Sequence, residues 1–384
     1  MAGKTILVLG GGIGGLVTAN ELRKQLAREH RVVVVDKDGQ HIFWPSLLWL
    51  QVGLREPQSF VRDLSGLEKK GIEVIKGHVE RIDPARKVVR IDGRDLEGDY
   101  LVLSLGAQLT PEQIPGLAEA GHNLYSLDGA MAIRDQRKWF TAGSLAILVT
   151  RTPFKCPAAP YEAAMLQEYD LRKRKVRDRT AVAIYTPEAG PMAVAGPEVS
   201  AGVRQLIEQR SIAYYPQHQV VRVDPSTRTL HFANGEEAGF DLLIYVPPHG
   251  APAVVRDAGL VGQSGWIPVD RHTMETSFSG VYAIGDVTGI PLSLGMPLPK
   301  AGVFAHGEGE AVAQTIAAQI NGRGRPGTFD GQGECFIEVG DGKAGFGRGN
   351  FYAEPRPTIR LYNPGRHWHA GKVLFEKDWL RRWF

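Results

Sequence analysis

The sequence predicts an α/β protein of two Rossmann-like domains, the first of them discontinuous, followed by a C-terminal membrane-associating region. Three observations predict it. A short apolar, β-branched strand at Thr5–Leu9 runs straight into a glycine-rich turn. A second strand of the same kind, Ser144–Val149, opens the middle of the chain. Near the end, Trp368, Leu374, Phe375, Trp379, Leu380, Trp383 and Phe384 interleave with Lys372, Lys377, Arg381 and Arg382. At 384 residues the chain is also too long for one ordinary core.

The first element carries a nucleotide fingerprint. Gly10-Gly11-Gly12-Ile13-Gly14-Gly15 satisfies G-x-G-x-x-G at Gly10, Gly12 and Gly15. Leu16–Arg28 reads as a helix and Arg31–Val35 as a second strand. That strand ends in Asp36, 21 positions after Gly15, where a carboxylate can bond a ribose hydroxyl. The glycines let backbone approach a pyrophosphate, and the helix N-terminus offers free N–H groups and a positive dipole end. Taken alone, the fingerprint serves FAD and NAD equally. Lys4 followed by Thr5–Ala19 has the outline of a secretory signal, but five glycines in that run fit the nucleotide turn, so no cleaved signal is expected.

Composition excludes several classes. A net charge of +3 and a pI near 8.7 are too mild for the basic footprint of a nucleic-acid binder. No uninterrupted apolar run reaches about eighteen residues, so no transmembrane helix is expected. Cys156 and Cys335 are the only cysteines, too few for a disulfide framework; they are either buried and inert or a working pair. His367 and His369 form a weak H-x-H pair, and no metal site is expected. A basic run, Arg172–Arg179, reads first as a solvated face.

The middle strand departs from a nucleotide site. Thr150–Glu162 contains no glycine and three prolines. Proline has no N–H to offer a phosphate, so a nicotinamide cofactor is disfavoured here. Cys156 stands in that loop instead. Glu162 follows six positions later, near the first turn of a helix expected over Tyr161–Arg174. It serves either as a proton carrier for a thiol or as an ordinary first-turn acid facing the helix dipole.

Two distant segments join the fingerprint. Gly280–Asp286 (GVYAIGD) and Leu101–Ala107 (LVLSLGA) resemble the corresponding strands of the two-dinucleotide-binding-domain flavoproteins. The resemblance implies FAD, held through Gly10, Gly12, Gly14, Gly15, Asp36, Lys37, Val79, Gly106, Ala107, Gly285 and Asp286. Pro153–Glu162 (PFKCPAAPYE) is more specific, and resembles the signature of the sulfide:quinone oxidoreductases and the related flavocytochrome c sulfide dehydrogenase flavoproteins. Pro45–Gly53, Leu298–Gly302, Gly333–Gly340 and Gly371–Glu376 resemble further segments of that family, so the likeness runs from about residue 5 to 378. It implies Pro45, Ser46 and Lys300 near the flavin, Cys156 and Cys335 as a redox pair, and Phe336, Lys372 and Phe375 near a quinone ring. It also implies that Cys335 adjoins the flavin while Cys156 carries the growing sulfur. With no third cysteine, the FAD is expected to be non-covalent.

The resulting expectation is an FAD domain at 1–108 and 248–310, a second Rossmann-like domain without a nucleotide at 109–247, and a C-terminal region at 311–384. The expected reaction is oxidation of sulfide to sulfur or polysulfide, with electrons passed to a quinone at a membrane surface. The expected location is peripheral, on the cytoplasmic membrane, with the face and the oligomeric state left open, a homo-oligomer included. The rivals are a sulfide dehydrogenase flavoprotein serving cytochrome c, a type II NADH dehydrogenase, and a flavin redox sensor without turnover.

Overall fold

The computed structural model describes residues 3–384. In chain order, the first elements that position the site are β1 (Thr5–Leu9), α1 (Ile13–Gln25), β2 (Arg31–Asp36), β3 (Glu73–Lys76) and β4 (Tyr100–Leu103). The middle of the chain supplies β5 (His122–Asn123), β6 (Gly143–Val149), α2 (Ala159–Lys173), β7 (Thr180–Tyr185), β8 (Ala213–Tyr215) and β9 (Leu242–Val246). The rest gives β10 (Val281–Ala283), α3 (Gly302–Asn321), β11 (Gln332–Gly340), β12 (Lys343–Asn350), β13 (Thr358–Gly365) and α4 (Arg366–Trp383).

The first sheet runs β10-β4-β1-β2-β3, and every pair in it is parallel. Successive side chains of a strand point to opposite faces. Ile6 and Val8 therefore pack with Leu16 and Val17 of α1 and Val312 and Ile316 of α3. Leu7 and Leu9 pack on the other side with Val79, Val89 and Ile91 from a small antiparallel sheet. With both faces covered, β1 and β2 are continuous apolar runs rather than alternating ones.

The second sheet repeats this plan in the order β5-β9-β6-β7-β8, again all parallel. Leu145, Ile147 and Val149 meet the α2 side, and Ala146 and Leu148 meet a second small antiparallel sheet. The expectation of parallel-sheet, Rossmann-like units holds. Helix bounds differ slightly: α1 begins at Ile13, three residues early, because Gly14 and Gly15 lie inside its first turn.

An antiparallel meander, β11-β12-β13, and α4 complete the fold. The tail corrects one expectation. Lys372, Glu376, Trp379, Leu380 and Trp383 recur at helical spacing on one face of α4, and all are buried. The Trp379 and Trp383 rings pack into the core of the first domain rather than facing outward. Asn20 and Lys70 also donate to the Trp383 and Arg382 carbonyls, at 3.4 and 3.1 Å. Only Leu374, 66% exposed, and Phe375, 43% exposed, remain as large apolar groups on the outer face of α4. Among the described residues, no helix is long and apolar enough to cross a membrane. The basic run at 172–179 is not free either: Arg172 pairs with Glu168 and Asp341, and Arg174 with Asp170.

Candidate active site

The glycine turn is built to meet a ligand. Gly10 has φ +103°, and a Cβ on Gly15 would strike the Gly10 carbonyl at 1.9 Å, so both are needed for the turn itself. A Cβ on Gly12 would meet nothing within 4 Å, which leaves open space before the N-terminus of α1. No side chain caps that helix, so its first N–H groups are free for an anion. Asp36 braces the turn, accepting from the Gly11 N–H at 2.8 Å and from Asp38 and Gly39 at 2.9 and 3.0 Å. Lys37 beside it is exposed, and Val79 is buried in the adjoining antiparallel sheet.

His41, which no local sequence signal marks, ties this turn to α4. Its Nε2 accepts from Trp379 Nε1 at 3.1 Å, so Nδ1 carries the proton and donates to the Gly11 carbonyl at 3.0 Å. Burial drives its pKa down to about 4, which keeps the ring neutral.

The second wall of the cavity gathers around Gly285-Asp286. The Gly285 N–H donates to Glu308 at 2.6 Å. Lys300 donates to the Asp286 and Thr288 carbonyls at 2.8 and 2.9 Å and lies 3.3 Å over the Trp266 ring, so it braces the turn from below. Burial lowers Lys300 to about 8 against the pull of Asp286 and Glu308, and lifts Glu308 to about 7. Asp286 is raised by burial, with Lys155 and Lys300 opposing. Gly106, at φ +67°, has nothing within 4 Å of its would-be Cβ, and Ala107 follows it, half-buried. Pro45 and Ser46 lie in a short turn at Trp44–Ser46, but the Ser46 hydroxyl points to Glu376, which Arg55 also holds.

Two further polar groups, unmarked as site residues by sequence, stand near Asp286 and Lys300. Lys155 lies 3.9 Å over Trp44 and 5.5 Å over Tyr125, with no hydrogen-bond acceptor among the described residues. His249 is half-buried, with a buried, unpartnered Nε2, and desolvation takes its pKa down to about 3. An uncapped helix, open ground before Gly12 and Gly106, and buried polar atoms without partners are what a flavin dinucleotide requires. The residues present fit FAD.

The cysteines approach this cavity from two domains. Cys156, at φ +49°, is pinned by its N–H to the Lys300 carbonyl at 2.6 Å, and Tyr125 donates to its carbonyl at 3.1 Å. Cys335 lies on β11, its thiol 3.3 Å from the Phe336 carbonyl. Both are free thiols. Glu162, in the first turn of α2, accepts from Lys372 at 2.9 Å and from the Glu338 N–H at 2.8 Å. Burial pushes the Cys156 thiol well up, and Cys335 and Glu162 add to the effect. Cys335 is exposed on β11, and desolvation by the protein around it, with Glu162, pushes its thiol up to about 12. Lys372 opposes both shifts. Burial raises Glu162 as well; it works against the Lys372 charge, but Glu162 and Glu338 outweigh it there.

Cys156, Cys335, Glu162 and Lys372 thus share one electrostatic environment although they come from α2, its preceding loop, β11 and α4. The Phe336 and Phe375 rings stand 6.5 Å apart beside them, with Phe375 edge-on to Phe43. Gly371 makes room: a Cβ there would press the Phe336 ring at 3.3 Å. Among the described residues, no cluster of His, Cys, Asp and Glu could hold a metal ion, and His369 is engaged with Glu338.

The family model described as pyridine nucleotide-disulphide oxidoreductase matches residues 4–151 and 157–314, and its break falls on the loop that carries Cys156. The mitochondrial sulfide:quinone oxidoreductase of Mus musculus is 24% identical over 368 residues, covering 92% of this chain and 80% of that protein. The sulfide-quinone reductase of Aquifex aeolicus (strain VF5) is 27% identical over 397 residues, covering 98% and 90%. The solved structure of the sulfide:quinone oxidoreductase from Aquifex aeolicus superposes with a TM-score of 0.89 at 25% identity, over 99% of this chain and 91% of that one.

Proposed function

The chain belongs to the pyridine nucleotide-disulphide oxidoreductase family and is an oxidoreductase, and we propose that it oxidises sulfide to sulfur or polysulfide through Cys156 and Cys335, with non-covalent FAD and a quinone acceptor. Cys156 carries this reading. It occupies the loop after β6 where a nicotinamide site needs glycines, and its thiol shares Glu162 and Lys372 with Cys335. The mouse and A. aeolicus proteins, named for sulfide and quinone and similar along 92% or more of the chain, support the substrate pair.

Gly10, Gly12, Gly14, Gly15 and the start of α1 would hold the pyrophosphate of FAD, and Asp36 a ribose, with Lys37 and Val79 nearby. Pro45, Ser46, Gly106, Ala107, Gly285, Asp286 and Lys300 would line the rest. When bound, the flavin supplies a two-electron carrier between sulfur and quinone.

The chain's own chemistry starts from the disulfide form of the pair. A hydrosulfide anion attacks one sulfur; a new S–S bond forms, the Cys156–Cys335 bond breaks, and one sulfur leaves as thiolate. In the order implied by the family likeness, Cys156 keeps the persulfide and Cys335 leaves. The leaving thiolate is favoured by positive charge beside it. Lys372 supplies that charge, and a proton taken up by Glu162 leaves Lys372 uncompensated and favours the thiolate. The quinone ring would lie against Phe336 and Phe375, with Leu374, Phe375, Lys377, Arg381 and Arg382 set against a membrane surface.

The test is anaerobic. Sulfide added to the yellow protein should bleach the flavin, and a quinone should restore it. Bleaching by NADH, with sulfide inert, would instead make this chain an NADH dehydrogenase.

A further inference from the structure

Gly11 is held from two sides. Its N–H donates to Asp36 at 2.8 Å, and its carbonyl accepts from His41 at 3.0 Å. A trans peptide carries its C=O and the following N–H in opposite directions. Fixing the Gly11 carbonyl on His41 therefore turns the Gly12 N–H away from that ring. This N–H has no acceptor among the described residues, and a Cβ on Gly12 would meet open space. One imidazole thus decides which way an unpaired donor of the glycine turn points. His41 is fully buried on a short strand, Gln40–Ile42, and both its ring nitrogens have partners. The Trp379 indole donates to Nε2, which leaves Nδ1 as the donor of the ring. The Trp379 ring stacks on His41 at 6.1 Å between centroids, and the Phe384 ring lies 5.5 Å away. His306 of α3 lies edge-on to both tryptophans, 5.6 Å from Trp379 and 5.7 Å from Trp383. Trp379, 338 positions from His41, is therefore two hydrogen bonds from the Gly11 carbonyl.

We propose that His41 and Trp379 are positioning residues for FAD, which set the Gly12 N–H for the pyrophosphate and couple cofactor binding to the docking of α4. The inference rests on the reading that the pyrophosphate lies before α1. Two states differ in one chain of contacts. With α4 docked, the Trp379 N–H fixes the donor on Nδ1, and the Gly11 carbonyl is held. With α4 away, His41 opens to water, either ring nitrogen can carry the proton, and the Gly11–Gly12 peptide is free to turn. FAD binds the docked state better. By linkage, it strengthens docking by the same factor that docking strengthens FAD.

The experiment titrates FAD into the full-length apoprotein and follows hydrogen exchange with and without FAD. In wild type, bound FAD should slow exchange across α4, Arg366–Trp383. His41→Leu, which cannot donate to the Gly11 carbonyl, should bind FAD roughly tenfold or more weaker. His41→Gln, able to donate to Gly11 and to accept from Trp379, should recover most of that loss. Trp379→Phe keeps a ring in place without its N–H. There FAD should bind several-fold weaker, and the slowing should shrink on α4 while persisting on α1. A purely structural role would lower the melting temperature of the apoprotein and leave the affinity of the folded fraction unchanged. That result in His41→Leu overturns the proposal, as does wild-type exchange on α4 that FAD leaves unaltered. If His41→Leu does not fold, Trp379→Phe decides by the same readings. Gly12→Ala separates this inference from the reading beneath it. Full FAD affinity in Gly12→Ala removes the pyrophosphate from this turn, whereas FAD lost there but kept in His41→Leu defeats the coupling alone.

Discussion

The backbone N–H of Cys156 donates to the carbonyl of Lys300 at 2.6 Å, and the ammonium of that same lysine holds the Gly285-Asp286 turn. The first thiol is thereby fixed to the floor of the cofactor cavity by main chain, independent of its own side chain. Replacing the sulfur should then leave the cavity intact. In Cys156→Ser and Cys335→Ser, flavin content should match wild type while sulfide-driven bleaching slows at least roughly 10³-fold, the scale of losing a reacting group. Bleaching at the wild-type rate in either variant would remove the pair from the reaction.

The glycine turn separates folding from ligand fit. Gly15→Ala drives a Cβ into the Gly10 carbonyl, so the turn itself must shift. Gly12→Ala meets no protein atom within 4 Å. The expected outcome is a Gly12→Ala apoprotein with wild-type melting temperature that fails to retain FAD, against a Gly15→Ala protein that loses both. Full flavin occupancy in Gly12→Ala would place the pyrophosphate elsewhere.

Glu162 and Lys372 are both almost fully buried, so each depends on the other for its charge. Removing one partner from such a pair typically costs about 3–5 kcal/mol, because the survivor is left uncompensated. Lys372→Met should show a loss of that order in urea unfolding. Lys372→Met combined with Glu162→Gln should recover part of it. A double variant as unstable as the sum of the two singles would mean that the pair is not coupled.

Glu308 gives the protein a pH dependence of definite sign. Burial lifts its pKa from the ordinary 4.5 to about 7, so between these values the folded apoprotein binds a proton that the unfolded chain does not. The contribution is complete below about pH 4.5 and is lost as the pH rises through about 7. Glu308→Gln, neutral throughout and still able to accept from the Gly285 N–H, lacks this loss. From pH 5 to 8 the wild type should therefore lose on the order of 1–3 kcal/mol more than the variant. Urea midpoints that move in parallel for the two proteins would contradict this assignment.

Leu374 is 66% exposed and so contributes little to holding α4 in place, whereas Phe375 also rests edge-on against the buried Phe43. Leu374→Glu should keep the melting temperature and weaken co-sedimentation with anionic vesicles several-fold, with slower reduction of a long-chain quinone. Unchanged sedimentation would exclude this face of α4 as the membrane contact.

Much of the fold is legible in local pattern. The runs Thr5–Leu9 and Ser144–Val149 are strands buried on both faces, and a buried parallel strand has no alternation to hide. The glycine turn is legible because φ above zero and close backbone approach demand glycine at those positions. His41, Lys155, His249, Glu338 and His369 are not legible in this way. Each matters through a partner far away in sequence: Trp379 for His41, α4 for Glu338, the shared cavity for Lys155 and His249. The aromatic tail misleads for a related reason. Its spacing shows a helical face, but only the position of the first domain decides whether that face meets protein or lipid.

The distance along the chain between Glu162 and Lys372, 210 positions, also sets an order of events during synthesis. Translation delivers Cys156 and Glu162 long before the strand bearing Cys335, and the counter-charge on α4 comes later still. Since domains generally fold as the ribosome releases them, the first thiol spends that interval in a nascent chain with neither its sulfur partner nor the lysine that favours its ionised form. On the sulfide reading, chemical competence would arrive only when α4 docks, and an incomplete polypeptide would carry the thiol without the reactivity.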